Sequence, residues 1–123
     1  MKILLIALAG AVGTLARYWF SGLVQRASGG GFPWGTFAAN MAGCLLFGFV
    51  WSLAEERMLI STGARSIVLV GFMGAFTTYS TYTFETAQFL RDSEWALAAG
   101  NIALQNTTGI VFLLLGLALG RLL

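Results

Sequence analysis

The feature that most constrains this chain is where its charges are missing. None falls between Lys2 and Arg17, between Arg26 and Glu55, between Arg65 and Glu85, or between Glu94 and Arg121. A helix needs about 20 apolar residues to cross a hydrocarbon core of roughly 30 Å. The second and fourth gaps meet that length outright. The first does so only if Arg17 lies inside a span, and the third only if a Thr-rich stretch is tolerated there. Soluble domains carry roughly 25% charged residues, whereas this chain has 10%, with 58% hydrophobic. The reading is an all-α integral membrane protein with four transmembrane helices in a single transmembrane domain, 1–123, embedded in a lipid bilayer as a multi-pass protein.

The spans are expected at about 3–25, 34–54, 65–90 and 95–122, the third in two pieces with a break near 74–78. Ser28-Gly29-Gly30-Gly31-Phe32-Pro33 breaks the chain between the first two. Arg91-Asp92-Ser93-Glu94 makes a polar turn before the last, and Trp19, Trp34, Trp51 and Trp95 fall near predicted ends, as interfacial anchors do. The short run Ile3 to Ile6 is too brief for a signal-peptide core, so it opens the first span. Lys2, Arg57, Arg65 and Arg121 would lie on one side and Arg26 and Arg91 on the other. That bias is modest and permits insertion either way up.

Several chemistries are excluded. There is no His, and the single Cys, Cys44, sits in an apolar run, which removes disulfides and thiolate or imidazole metal sites. No basic patch exists to suggest nucleic acid. No nucleophile–base pair is available, so the chain does not read as an enzyme.

Polar residues inside spans are functional candidates because lipid offers them no partner. The third span has the densest set, from Gly71 through Gly74, Thr77, Thr78, Tyr79, Ser80, Thr81 and Tyr82 to Glu85. Such a sequence either breaks the helix, freeing carbonyls for a cation, water or protein, or lets helices pack closely. Asn40, with Thr36 one turn earlier on the same face, is either interhelical glue or the lining of a polar path. Gly35, Ala39 and Gly43 form a small-residue stripe. On the fourth span Asn101, Gln105 and Thr108 share a face. Arg17 shares one with Gly10 and Thr14, and wants an anion, carboxylate or carbonyl partner. An inventory of neutral donors and ring edges suits an anion better than a cation.

Three stretches resemble the Fluc (CrcB) family of fluoride channels. Gly10-Ala11-Val12-Gly13-Thr14-Leu15-Ala16-Arg17-Tyr18 is similar to its first-helix motif, and Gly35-Thr36-Phe37-Ala38-Ala39-Asn40-Met41-Ala42-Gly43 to its second. The run Gly71 to Tyr82 resembles its third-helix signature, G..G..TTFSTF, save at two rings. The resemblance implies an antiparallel, dual-topology homodimer in the cell inner membrane that passively exports fluoride through two pores. It further implies a central structural Na⁺ held by the backbone carbonyls of Gly74 and Thr77. Asn40, Tyr79, Ser80, Thr81, Tyr82 and Gln105 would line the fluoride path. Thr36, Arg17 and Glu85 match family positions, with gating or structure open for Glu85 and vestibule attraction or packing for Arg17. The departure is Tyr79 and Tyr82 at the phenylalanine positions, whose hydroxyls either donate to fluoride or obstruct the ring edge. A four-helix multidrug exporter is the nearest rival, but its chemistry needs a first-span carboxylate, and this chain has Arg17 there.

Overall fold

A computed structural model describes residues 1–123 and is helical throughout. The first helix, α1, runs Lys2–Ser28, three residues beyond the expected end. It stops where Gly29 and Gly30 take φ of 61° and 76°, left-handed geometry that glycine enters without steric cost. Gln25 staples the following loop: its Nε2 donates to Phe32 O at 3.1 Å, and its Oε1 accepts the Gly35 N–H at 2.9 Å. The second contact satisfies one of the open donors at the start of α2, Trp34–Trp51.

Helix α2 continues as a π-helical turn, Ser52–Glu56. The third span begins at Thr62, earlier than expected, because Ser61 caps it by accepting the Ala64 N–H at 3.2 Å. It comprises α3 (Thr62–Ser66), a π-helical stretch (Ile67–Met73), α4 (Gly74–Phe76) and α5 (Tyr79–Arg91). The last helix, α6, is Trp95–Leu122. Four segments, Lys2–Ser28, Trp34–Glu56, Thr62–Arg91 and Trp95–Leu122, are long and apolar enough to cross a membrane. The chain is a multi-pass membrane protein.

Side-chain placement agrees with a lipid solvent. Leu8, Val12, Ile110 and Leu114 are each more than half exposed, a surface water would penalise heavily. The apolar core is small: Ala39, Leu69, Met73 and Phe76. Thr36, Ser52, Thr86, Asn101 and Gln105 are buried as well. Since hydrophobicity does not drive helices together in lipid, close van der Waals packing must. Helix α2 meets α6 in that way. A Cβ at Gly48 would collide with Leu113 O, and one at Gly116 with Leu45 O, so the two backbones touch at reciprocal glycines.

Ion pairs gather at one end. Arg121 makes two hydrogen bonds to Glu56, at 2.6 and 2.9 Å, while Arg57 donates to Arg121 O at 3.2 Å. Arg65 pairs with Glu55 and lies over the Trp51 ring. These pairs fasten the end of the second span to its neighbours.

Candidate functional site

The site is organised around two residues that leave helical geometry in the third span. Thr77 (φ −86°, ψ 154°) and Thr78 (φ −145°, ψ 113°) are extended. Their own hydroxyls close the helical ends on either side. Thr77 Oγ1 and N–H both donate to Met73 O, at 3.0 and 3.1 Å. Thr78 Oγ1 accepts the Thr81 N–H at 3.3 Å, capping α5, and donates to Thr81 Oγ1 at 2.9 Å.

A side chain from another helix fixes the backbone between them. Asn40 Oδ1 accepts the Thr78 N–H at 2.8 Å, and Asn40 Nδ2 donates to Thr78 O at 3.1 Å. The amide pairs with Thr78 as a neighbouring strand would. In an uninterrupted helix the Thr78 N–H would return to Gly74 O; here it is diverted to Asn40. Thr77 O accepts no hydrogen bond from any backbone or side-chain donor of the chain. Close approach of α2 is needed for this clamp, and Gly43 permits it: a Cβ there would strike Thr77 Cγ2.

Asn40 also orders the fourth span. Its Nδ2 donates to Gln105 Oε1 at 3.2 Å. Because Oδ1 is held by a backbone N–H, the orientation of the Asn40 amide is fixed, and Gln105 must present its oxygen to it. Gln105 Nε2 is therefore left over, buried and without a partner in the chain. A cavity of about 370 Å³ is bordered here by Asn40, Thr77, Tyr79, Tyr82, Gln105 and Asn106, with no Asp, Glu, Lys or Arg in its wall. The Tyr79 and Tyr82 rings meet edge to face, centroids 5.7 Å apart at 60°. Tyr79 is 76% exposed and Tyr82 8%. Ser80 and Thr81 do not border the cavity: Thr81 is occupied in the α5 cap, and Ser80 faces outward.

Two further expected residues meet elsewhere. Thr36 Oγ1 donates to Glu85 Oε2 at 3.0 Å, joining α2 to α5, while Glu85 Oε1 has no partner. Both border a second cavity, of about 630 Å³, beside the loop joining α1 and α2. Arg17 borders neither cavity, and its guanidinium makes no hydrogen bond or ion pair within the chain. Asn101 is fully buried; its Nδ2 donates to Thr86 Oγ1 at 2.9 Å, which in turn donates to Tyr82 O at 2.9 Å.

Sequence reading passed over Asn106, Thr86 and Gln25. Asn106 was detectable, as an amide beside Gln105 in an apolar helix. Thr86 lies one turn after Tyr82, a spacing that lets its hydroxyl reach the Tyr82 carbonyl. Gln25 had no such signal, because a glutamine near a helix end looks like any surface residue.

The sequence has counterparts among known proteins. The family described as "CrcB-like protein, Camphor Resistance (CrcB)" matches residues 4–117. A protein of Nitrosococcus oceani named fluoride-specific ion channel FluC is 57% identical over 99% of this chain and 98% of its own length. Proteins of the same name from Solidesulfovibrio magneticus and Magnetococcus marinus are 53% and 37% identical, over 98% and 100% of their own lengths. With near-complete coverage of both partners at such identity, the chain belongs to the CrcB-like family, whose named relatives are ion channels and not enzymes.

Proposed function

We propose that this protein is a fluoride-selective passive ion channel that relieves the cytoplasm of toxic fluoride across the inner membrane. The observation that carries the reading is the uncharged cavity at Asn40, Tyr82 and Gln105, with a buried Gln105 N–H that no group of the chain accepts. Fluoride is compact and holds water tightly, so entering a narrow path requires close replacement donors. Amide and hydroxyl groups supply them, as do aromatic ring edges, the positive part of the ring quadrupole. A wall without full charges lets the ion leave again, which conduction demands. A negative cell interior favours anion exit by about 2.3 kcal/mol per charge per 100 mV, so no energy coupling is needed.

Asn40 contributes differently from a simple lining donor. Both its Nδ2 hydrogens are committed, to Thr78 O and Gln105 Oε1. It shapes the path by clamping the interrupted third helix and by leaving Gln105 Nε2 as the uncommitted donor. Tyr79 and Tyr82 line the route. Thr81 serves it indirectly, through the α5 cap, while Ser80 lies on the exposed face of α5. Thr36 and Glu85 belong to the vestibule, and Arg17 remains available to anions or to a second subunit.

The working unit is an antiparallel homodimer with two pores. Support comes from polar surface at the middle of spans: Asn106, Ser80 and Gly74 are exposed on a single chain, and lipid would leave their polar groups unsatisfied. A second copy covers them, and the weak charge asymmetry accommodates both orientations. Gly74 and Thr77 fit a structural Na⁺ at the junction, because their carbonyls have lost, or lack, the helical donor that would otherwise occupy them. Bound there, the ion would supply positive potential to an interior that must admit an anion.

The test is fluoride release from liposomes containing purified dimer, followed with a fluoride-selective electrode against a chloride control. Rapid fluoride loss with chloride retained is expected. A folded dimer that leaves the fluoride gradient intact refutes the proposal.

A further inference from the structure

We infer that Asn106 is a positioning residue for the Tyr82 hydroxyl, setting that hydroxyl as a hydrogen-bond donor to the permeating anion. The inference rests on the channel reading above and deepens it. It begins from a cost: a phenol oxygen on a ring only 8% exposed, within a membrane span, needs a partner. Asn106 provides one, its Nδ2 donating to Tyr82 Oη at 3.2 Å.

The direction of that bond is determined by the rest of the amide. Asn106 Nδ2 also donates to Ile102 O at 2.8 Å, and a carbonyl can only accept. The group facing both Ile102 O and Tyr82 must therefore be the nitrogen. Tyr82 Oη consequently accepts, and its single hydrogen is left for another partner; no acceptor within the chain takes it. Gln105, the preceding residue on α6, is oriented by the same logic through Asn40 and leaves Nε2 free. Adjacent residues of one helix, both on the wall of one cavity, thus each leave a donor uncommitted: Gln105 its own N–H, and Asn106 the O–H of Tyr82. Neither places a full charge there to trap an anion.

Asn106 is itself exposed on the single chain, at a depth where an amide cannot rest against lipid. That places its face on the covered, ion-bearing side of α6. The Tyr82–Asn106 pair then replaces a bare ring edge with a stronger, oriented donor. Without Asn106, nothing holds the Oη lone pair, so the hydroxyl hydrogen loses its set direction and the donor is no longer oriented.

The experiment is a double-mutant cycle on full-length dimer in liposomes, with fluoride efflux and the thermal unfolding midpoint measured for each protein. Tyr82→Phe and Asn106→Leu should each slow efflux roughly tenfold, the scale of one lost hydrogen bond to an ion. The double variant should be no slower than either single one, because both remove the same donor. Asn106→Gln, which keeps the amide, should recover part of the rate. If the double variant slows by the product of the single effects, or if Tyr82→Phe conducts as well as the parent, the inference is overturned. Coupling in unfolding midpoint without coupling in efflux also overturns it, leaving Asn106 a packing residue. Should Asn106→Leu not assemble, Asn106→Ala in both Tyr82 backgrounds carries the same comparison. Failure of the channel reading is distinguishable, since it would show as absent efflux in the unmodified protein.

Discussion

Replacing Asn40 with leucine, which has the same branched side-chain skeleton, removes three hydrogen bonds at once: to Thr78 N–H, to Thr78 O and to Gln105 Oε1. Two outcomes bracket the cost. If Thr78 keeps its extended geometry, its peptide N–H and C=O are orphaned, at roughly 1–3 kcal/mol each, so destabilisation comes to about 2–6 kcal/mol. If the Thr78 N–H instead recaptures Gly74 O, the third helix closes over the interruption and the cost falls. Polar contacts between membrane helices average only about 0.6 kcal/mol when alternative partners are found. The geometry favours the first outcome, because Thr77 and Thr78 are also held by their own hydroxyls, to Met73 O and within the α5 cap. We expect Asn40→Leu to unfold several kcal/mol more easily than the parent and to lose fluoride efflux. Chemical denaturation in detergent measures the first quantity and a fluoride electrode the second. An Asn40→Leu protein within 1 kcal/mol of the parent, conducting normally, would refute the claim that this amide holds the third span's shape.

Two other perturbations address the same region. Gly43→Ala would push its new methyl into Thr77 Cγ2, so stability should drop by about 1–3 kcal/mol and efflux with it; an unchanged rate would mean the interruption tolerates displacement. Preparing the protein with choline in place of Na⁺ should slow efflux and lower the unfolding midpoint if the Gly74 and Thr77 carbonyls hold that ion. Recovery on returning Na⁺, but not K⁺, would strengthen the assignment. Identical behaviour in choline would remove it.

The four spans were legible because hydropathy is a local property. A run of uncharged residues long enough to cross lipid says so wherever its neighbours are. The loop at Gly29 and Gly30 was legible for a similar reason, as positive φ is written into the residue type. Span ends were less so. Ser61 moved one outward by capping it, and the π-helical stretches at Ser52–Glu56 and Ile67–Met73 had no signal in the residue pattern.

Composition alone determined which residues had to find partners: Asn40, Asn101, Gln105 and the Thr and Tyr groups of the third span, since lipid would satisfy none of them. It could not say which partner each would take. Asn40 read equally well as glue or as path lining, and only packing of α2 against α5 and α6 gave it Thr78 and Gln105, 38 and 65 residues away in sequence. Hydrogen bonds are directional and reach about 3 Å, so a donor's role depends on what the fold brings within that distance. The tertiary structure therefore decided that the Asn40 amide is spent on the scaffold, while the unspent donors belong to Gln105 and, through Asn106, to Tyr82.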